Sequence, residues 1–292
     1  MTESDTDSWL IRHPITTSFL LVVLYLLFIL LAPNIAVLEG PPGEVGYFFF
    51  MQGMIFQAFL WLIIVPRFLK LPDGALSLRK YLKKIRLLRF QSLKRNLGLA
   101  ILCSLIILSS GLVFSMLTGY YVFDLTQILP PDSTTLFVGF VPGIWEEVAW
   151  RGVILTVLLK KYSEKEAIVF SSILFAGPHL LNLLGVSITA EMILGALAQL
   201  VYTFFLGLLF AYLVIRTDSL LPAIVVHYVI VAIGPLVIFT PGANPLLKSV
   251  LLMLGAGIAS ALCSFILIHF TQRSVSYSEE EPKILEKDLL LD

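Results

Sequence analysis

The chain has 292 residues, 58% of them hydrophobic and 14% charged, and its mean hydropathy is +0.92. This balance excludes an ordinary soluble domain and predicts a polytopic membrane protein. Lys plus Arg and Asp plus Glu number 20 each, so there is no basic surplus from which to argue a nucleic-acid partner.

A helix crossing the hydrocarbon layer needs about 20 mostly apolar residues. Eight stretches qualify, at 15–34, 46–68, 98–122, 135–159, 167–186, 191–215, 219–240 and 247–271. The expected fold class is therefore all-α, a membrane bundle of about eight transmembrane helices. Turns are expected at Pro33, Pro41-Pro42, Pro72-Asp73-Gly74, Pro130-Pro131, Thr217-Asp218-Ser219 and Pro241-Gly242. Glu3, Asp5 and Asp7 precede the first stretch where a signal peptide would carry basic residues, so it reads as a retained helix. Three regions are expected: N-terminal helices over 1–134 with a basic loop at 76–97, a core at 135–240, and a final helix with an acidic, disordered tail over 241–292.

Positive residues stay on the cytoplasmic side of a membrane, so loop Lys and Arg set the orientation. With both termini in the cytoplasm, every Lys and Arg except Arg151 and Lys248 falls on that side. The stretch 77–97 carries Arg79, Lys80, Lys83, Lys84, Arg86, Arg89, Lys94 and Arg95 without an acid, interleaved with Tyr81, Ile85, Leu87, Leu88 and Phe90. It predicts either an amphipathic helix lying on anionic membrane lipids or a solvated loop that fixes topology. Cys103 and Cys263 lie in apolar runs without metal or redox spacing and are expected to be buried and inert. Gly195, Gly207 and the small residues from Gly255 to Ser260 predict close helix packing.

An ionisable group in the hydrocarbon costs several kcal/mol unless it is paired or lines a cavity. Such groups concentrate in three spans. The fourth holds Glu146, Glu147 and Arg151, the fifth His179 and Asn182, and the seventh His227, whereas His13 and His269 stand at span ends. Glu147 and Arg151 are four apart with the acid first, the favourable order for a helical ion pair, which leaves Glu146 without a local cation. Phe175, His179 and Asn182 share one helical stripe, and Pro178 is expected to bend the helix there. At about 1.5 Å per residue, Glu146, His179 and His227 lie roughly 20, 18 and 12 Å from the cytoplasmic end, a common level near the bilayer centre.

One carboxylate with two imidazoles is the ligand set of many catalytic zinc sites, so a single zinc ion on Glu146, His179 and His227 is one reading. The same groups without metal form a general base with a polarising partner. Intramembrane Glu and His also mark proton relays, so a proton-coupled transporter is a competing class, although no inverted repeat accompanies them.

The ordered motifs Glu146-Glu147-x-x-x-Arg151, Phe175-x-x-x-His179 with Asn182, Phe205-Leu-Gly207, and Arg216 through Pro222 to His227 resemble those of the CPBP family. That family comprises type II CAAX prenyl endopeptidases and Abi-type bacteriocin-processing membrane proteases. The resemblance covers residues 135–240, whereas the N-terminal spans match only in number and hydrophobicity. It implies an intramembrane endopeptidase acting near the end of a membrane-associated, lipidated or leader-type protein. Glu146 would activate water, His179 would assist it or help hold a metal, and His227 would stabilise the oxyanion or ligate. Glu147 and Arg151 would brace the site. Family members often carry Asn or another polar residue four positions after the last histidine, where this chain has Val231. Losing one oxyanion donor costs about 10²–10³ in rate. Another donor such as Asn182 compensates, the subfamily dispenses with it, or the chain is a non-catalytic scaffold or immunity protein on the same fold.

Overall fold

A computed structural model describes residues 9–35, 53–69, 77–119, 121–123, 140–183, 189–233, 237–239 and 244–271. After a short turn of helix at Trp9–Arg12 come α1 (Pro14–Ile35), α2 (Gly53–Leu69), α3 (Leu78–Lys84) and α4 (Leu93–Thr118). The core follows with α5 (141–158), α6 (Glu164–Ala176), α7 (Ala190–Thr217) and α8 (Leu221–Ile233), and α9 (245–271) closes the bundle. Apart from α3, these helices fall on the expected stretches. Among the described residues, four segments are long and apolar enough to cross a membrane: Leu93–Phe114, Glu164–Leu183, Ala190–Thr217 and Leu246–Thr271. Pro14–Phe28, Gly53–Leu69 and Leu221–Ala232 are shorter apolar helices. The expected turns at Pro41-Pro42, Pro72-Asp73-Gly74, Pro130-Pro131 and Pro241-Gly242, and the acidic tail, lie outside the described residues.

Helix α5 is the centre of the core. Every residue from Glu147 to Leu158 is buried, so this segment faces protein on all sides rather than lipid. Most of it is π-helical, over Val141–Glu146 and Val148–Ile154, a wide geometry that recurs at functional sites. Neighbours approach closely where side chains are small. A methyl group on Gly152 would stand 3.2 Å from Leu220 and 3.5 Å from Ile85. Gly207 of α7 lies against Ser172 of α6, and Gly257 of α9 lies against the Tyr202 backbone of α7, bearing out the packing expected of these glycines. Gly195 differs, because a methyl group there would meet no described atom within 4 Å. Ser163 and Glu166 form a capping box that starts α6 and ends the loop from α5.

Three expectations are corrected. The basic stretch is not one continuous amphipathic helix. Helix α3 stops at Lys84, with Arg86 at φ 64° just beyond it, and helix resumes only with α4 at Leu93, after Ser92 at φ 54°. The apolar side of the stretch faces the protein: Ile85 is fully buried, and the Tyr81 hydroxyl donates to the Trp61 carbonyl at 2.8 Å. The Arg86 guanidinium, also buried, donates to Asp218 at 3.0 Å and to Thr156 at 3.1 Å, while Leu220 N–H donates to the Arg86 carbonyl at 3.1 Å. Arg89 pairs with the same aspartate. The stretch therefore ties the end of α5 to the α7–α8 turn, where Asp218 caps α7 in the left-handed conformation. Second, Cys103 is buried but Cys263 is exposed, because it lies on the outward side of α9. Third, the span expected over 219–240 leaves the helix after Ile233, and Val237–Phe239 pairs antiparallel with Tyr121–Phe123 as strands β2 and β1 of one short ribbon.

Gly257→Ala is expected to lower the midpoint of thermal unfolding in detergent, because its methyl would lie 2.7 Å from the Tyr202 backbone and such overpacking costs about 1–3 kcal/mol. Gly98→Ala, whose methyl would meet no described atom within 4 Å, should leave the midpoint unchanged or raise it.

Candidate active site

Adjacent glutamates on α5 have opposite surroundings. Glu147 is fully buried, and its Oε1 accepts from Arg151 Nη1 at 3.0 Å and from His227 Nδ1 at 2.8 Å. The expected ion pair is therefore present, and α8 adds an imidazole to it. The rest of the charge is enclosed by aromatic faces: the Arg151 guanidinium carbon lies 4.1 Å from the Phe175 ring centre and 5.1 Å from that of Phe210. Phe210 also stacks at 5.2 Å on His227. Glu147 Oε2 and Arg151 Nη2 lack a hydrogen-bond partner among the described residues, so the cluster is held by one shared oxygen and by these rings.

Glu146 is 23% exposed and lines a cavity of about 280 Å³. Tyr25, Trp150, Phe175, His179 and Asn182 also line it, which brings the fourth and fifth spans to one chamber with α1. His227 reaches the same carboxylate from the other side, its Nε2 4.0 Å from Glu146 Oε2. Asn182 donates to Gln199 Oε1 at 3.0 Å, which commits one of its two amide hydrogens. The expected bend is present as 3-10 turns over Gly177–Leu183, beginning just before Pro178.

The ring nitrogens are set by their partners. His179 Nδ1 lies 3.2 and 3.3 Å from the Phe175 and Ala176 carbonyls, which only accept, so Nδ1 carries the hydrogen and Nε2 a lone pair. By the same logic the Glu147 carboxylate holds the hydrogen on His227 Nδ1 and turns Nε2 toward Glu146. As placed, the residues do not fit a zinc ion: no three His, Cys, Asp or Glu side chains among the described residues converge as ligands.

Sequence reasoning missed Tyr25 and Phe210. Tyr25 is one hydroxyl in an apolar span, with no charge to draw notice. Its position eleven residues beyond Pro14, about 16 Å of rise, was a signal that it reaches the depth of Glu146. Phe210 sits in an unbroken apolar run and carried no signal.

Glu147→Ala is expected to cost about 3–5 kcal/mol, because Arg151 would remain as an uncompensated buried charge. Glu146→Gln should leave the unfolding midpoint nearly unchanged, and thermal unfolding of both variants in detergent checks the contrast.

Comparison with known proteins bears on residues 133–233, which match the family model "Type II CAAX prenyl endopeptidase Rce1-like". No curated protein and no solved structure matches the chain. The matched segment contains Glu146, Glu147, Arg151, His179 and His227, and it supports membership of the CPBP family and, at that level, a CAAX-type membrane protease.

Proposed function

We propose that the chain is an endopeptidase that hydrolyses a peptide bond near the end of a membrane-associated protein, with Glu146 as the base that activates water. The observation that carries this reading is the division between the two carboxylates. Glu147 is spent on Arg151 and His227, whereas Glu146 faces a cavity with His179 and has Nε2 of His227 within 4.0 Å. A base must reach both water and substrate, and Glu146 alone of the pair does so.

Glu146 takes a proton from water as its oxygen attacks the scissile carbonyl carbon. The negative charge on the tetrahedral oxygen needs a donor, and a protonated His227 supplies one from Nε2, with the Glu147 carboxylate behind Nδ1 stabilising the imidazolium. The proton held by Glu146 then passes to the leaving amine as the C–N bond breaks. His179 Nε2 accepts from the water and fixes its approach. Val231, one helical turn beyond His227, offers no hydrogen-bond donor, so the oxyanion relies on His227 and on the second amide hydrogen of Asn182. The substrate reaches the site from the side carrying the basic loop, taken as cytoplasmic together with both termini. A lipid anchor on the substrate would hold its end at the depth of the cavity.

The purified protein in liposomes should cleave a farnesylated CAAX peptide faster than the same peptide without the lipid. Glu146→Gln should lower kcat/KM by about 10²–10⁴. Equal rates for both proteins would contradict the role of Glu146, and no cleavage by either would favour a scaffold. Dialysis against a chelator should leave the wild-type rate unchanged, and a loss restored by zinc would overturn the metal-free account.

A further inference from the structure

Asn182 reaches the cavity of Glu146 and His179 from the 3-10 turns that end at Leu183, and it is exposed there rather than packed. An exposed amide turns over about its last bond at little cost, and turning exchanges a hydrogen-bond donor for an acceptor. The side chain that decides between the two is Gln199, whose Oε1 accepts from Asn182 Nδ2 at 3.0 Å across 17 residues of sequence. Gln199 stands half-buried in the third turn of α7, a helix of 28 residues whose Gly207 lies against Ser172 of α6. The acceptor is thus carried by a long, packed helix, whereas the donor is carried by a short segment of tighter and poorer backbone bonding. Gln199 is not among the described residues that line the cavity, so it acts on Asn182 from behind.

We infer that Gln199 is a positioning residue for Asn182, its side-chain oxygen holding the amide so that the second N–H faces the cavity that contains Glu146. The inference rests on the reading of Asn182 as a donor to the oxyanion. The two N–H bonds of a carboxamide diverge within one plane, so an acceptor on the first sets the direction of the second. Without that acceptor the amide also presents Oδ1 to the cavity, and a carbonyl oxygen repels the charge that develops on the tetrahedral oxygen. The cost falls on the transition state and leaves substrate binding nearly untouched.

Gln199→Met removes the acceptor and keeps an unbranched side chain of similar length that suits a helix. With the farnesylated CAAX peptide in liposomes, the expected result is a fall in kcat of about 3–10-fold, the loss of one neutral hydrogen bond. KM should stay within about twofold and the unfolding midpoint should be unchanged. Asn182→Ala, which removes the donor itself, should lower kcat by about 10²–10³. In that background Gln199→Met should lower it no further, whereas a merely structural role would add its effect. The side-chain amide signals of Asn182 in a spectrum of protein labelled with nitrogen-15 asparagine, assigned by their absence from Asn182→Ala, should move in Gln199→Met. Full kcat with unmoved amide signals, or an equal fall in the Asn182→Ala background, would overturn the inference while the donor reading stands. If Asn182→Ala cleaves as fast as wild type, the donor reading fails, and a catalytic role for Gln199 falls with it.

Discussion

The structure depends on one buried ionic cluster, Glu147 with Arg151 and His227. Moving either charge out of water costs several kcal/mol per ion, and α5 carries both where no residue from 147 to 158 is exposed. The cost is offset by attraction at 3.0 Å in a medium of low polarity, by the His227 hydrogen bond at 2.8 Å, and by the faces of Phe175 and Phe210 against the guanidinium. Those partners come from α6, α7 and α8. The cluster therefore joins four helices, and removing Glu147 or Arg151 leaves the other charge without compensation.

From this follows the asymmetry of the two glutamates. Because Glu147 is occupied, Glu146, next on the helix, turns to the cavity, and His227 presents to it the nitrogen that Glu147 does not use. A structural ion pair thus sets the tautomer of a reactive group, as a carboxylate does behind the imidazole of a hydrolase triad. The basic stretch contributes from outside: Arg86 joins Thr156 at the end of α5 to Asp218 in the α7–α8 turn, bracing the two helices that carry Glu146 and His227. The residues that expectation assigned to lipid contact are partly structural.

Much of the site was legible in the sequence because charge in an apolar span is rare and local. The four-residue spacing of Glu147 and Arg151 read directly as a pair, and Pro178 as a distortion of the helix. The link from Glu147 to His227 was not legible, since it depends on how α8 crosses α5 and spans 80 residues. Tyr25 escaped for the same reason, together with having no charge. The basic stretch misled because its alternation of Lys or Arg with Tyr81 and Ile85 suits a membrane surface and a protein groove equally; tertiary packing chose the groove. Helix content was legible throughout, whereas the ribbon of Tyr121–Phe123 with Val237–Phe239 was hidden in two apolar runs with the composition of spans.

The most direct test of the central claim compares the N- and C-termini of membrane proteins by mass spectrometry in cells producing the chain and its Glu146→Ala form. The account predicts termini that arise only when Glu146 is present, and these identify the cleaved protein. Identical terminal profiles at equal expression would contradict a peptidase built on this carboxylate.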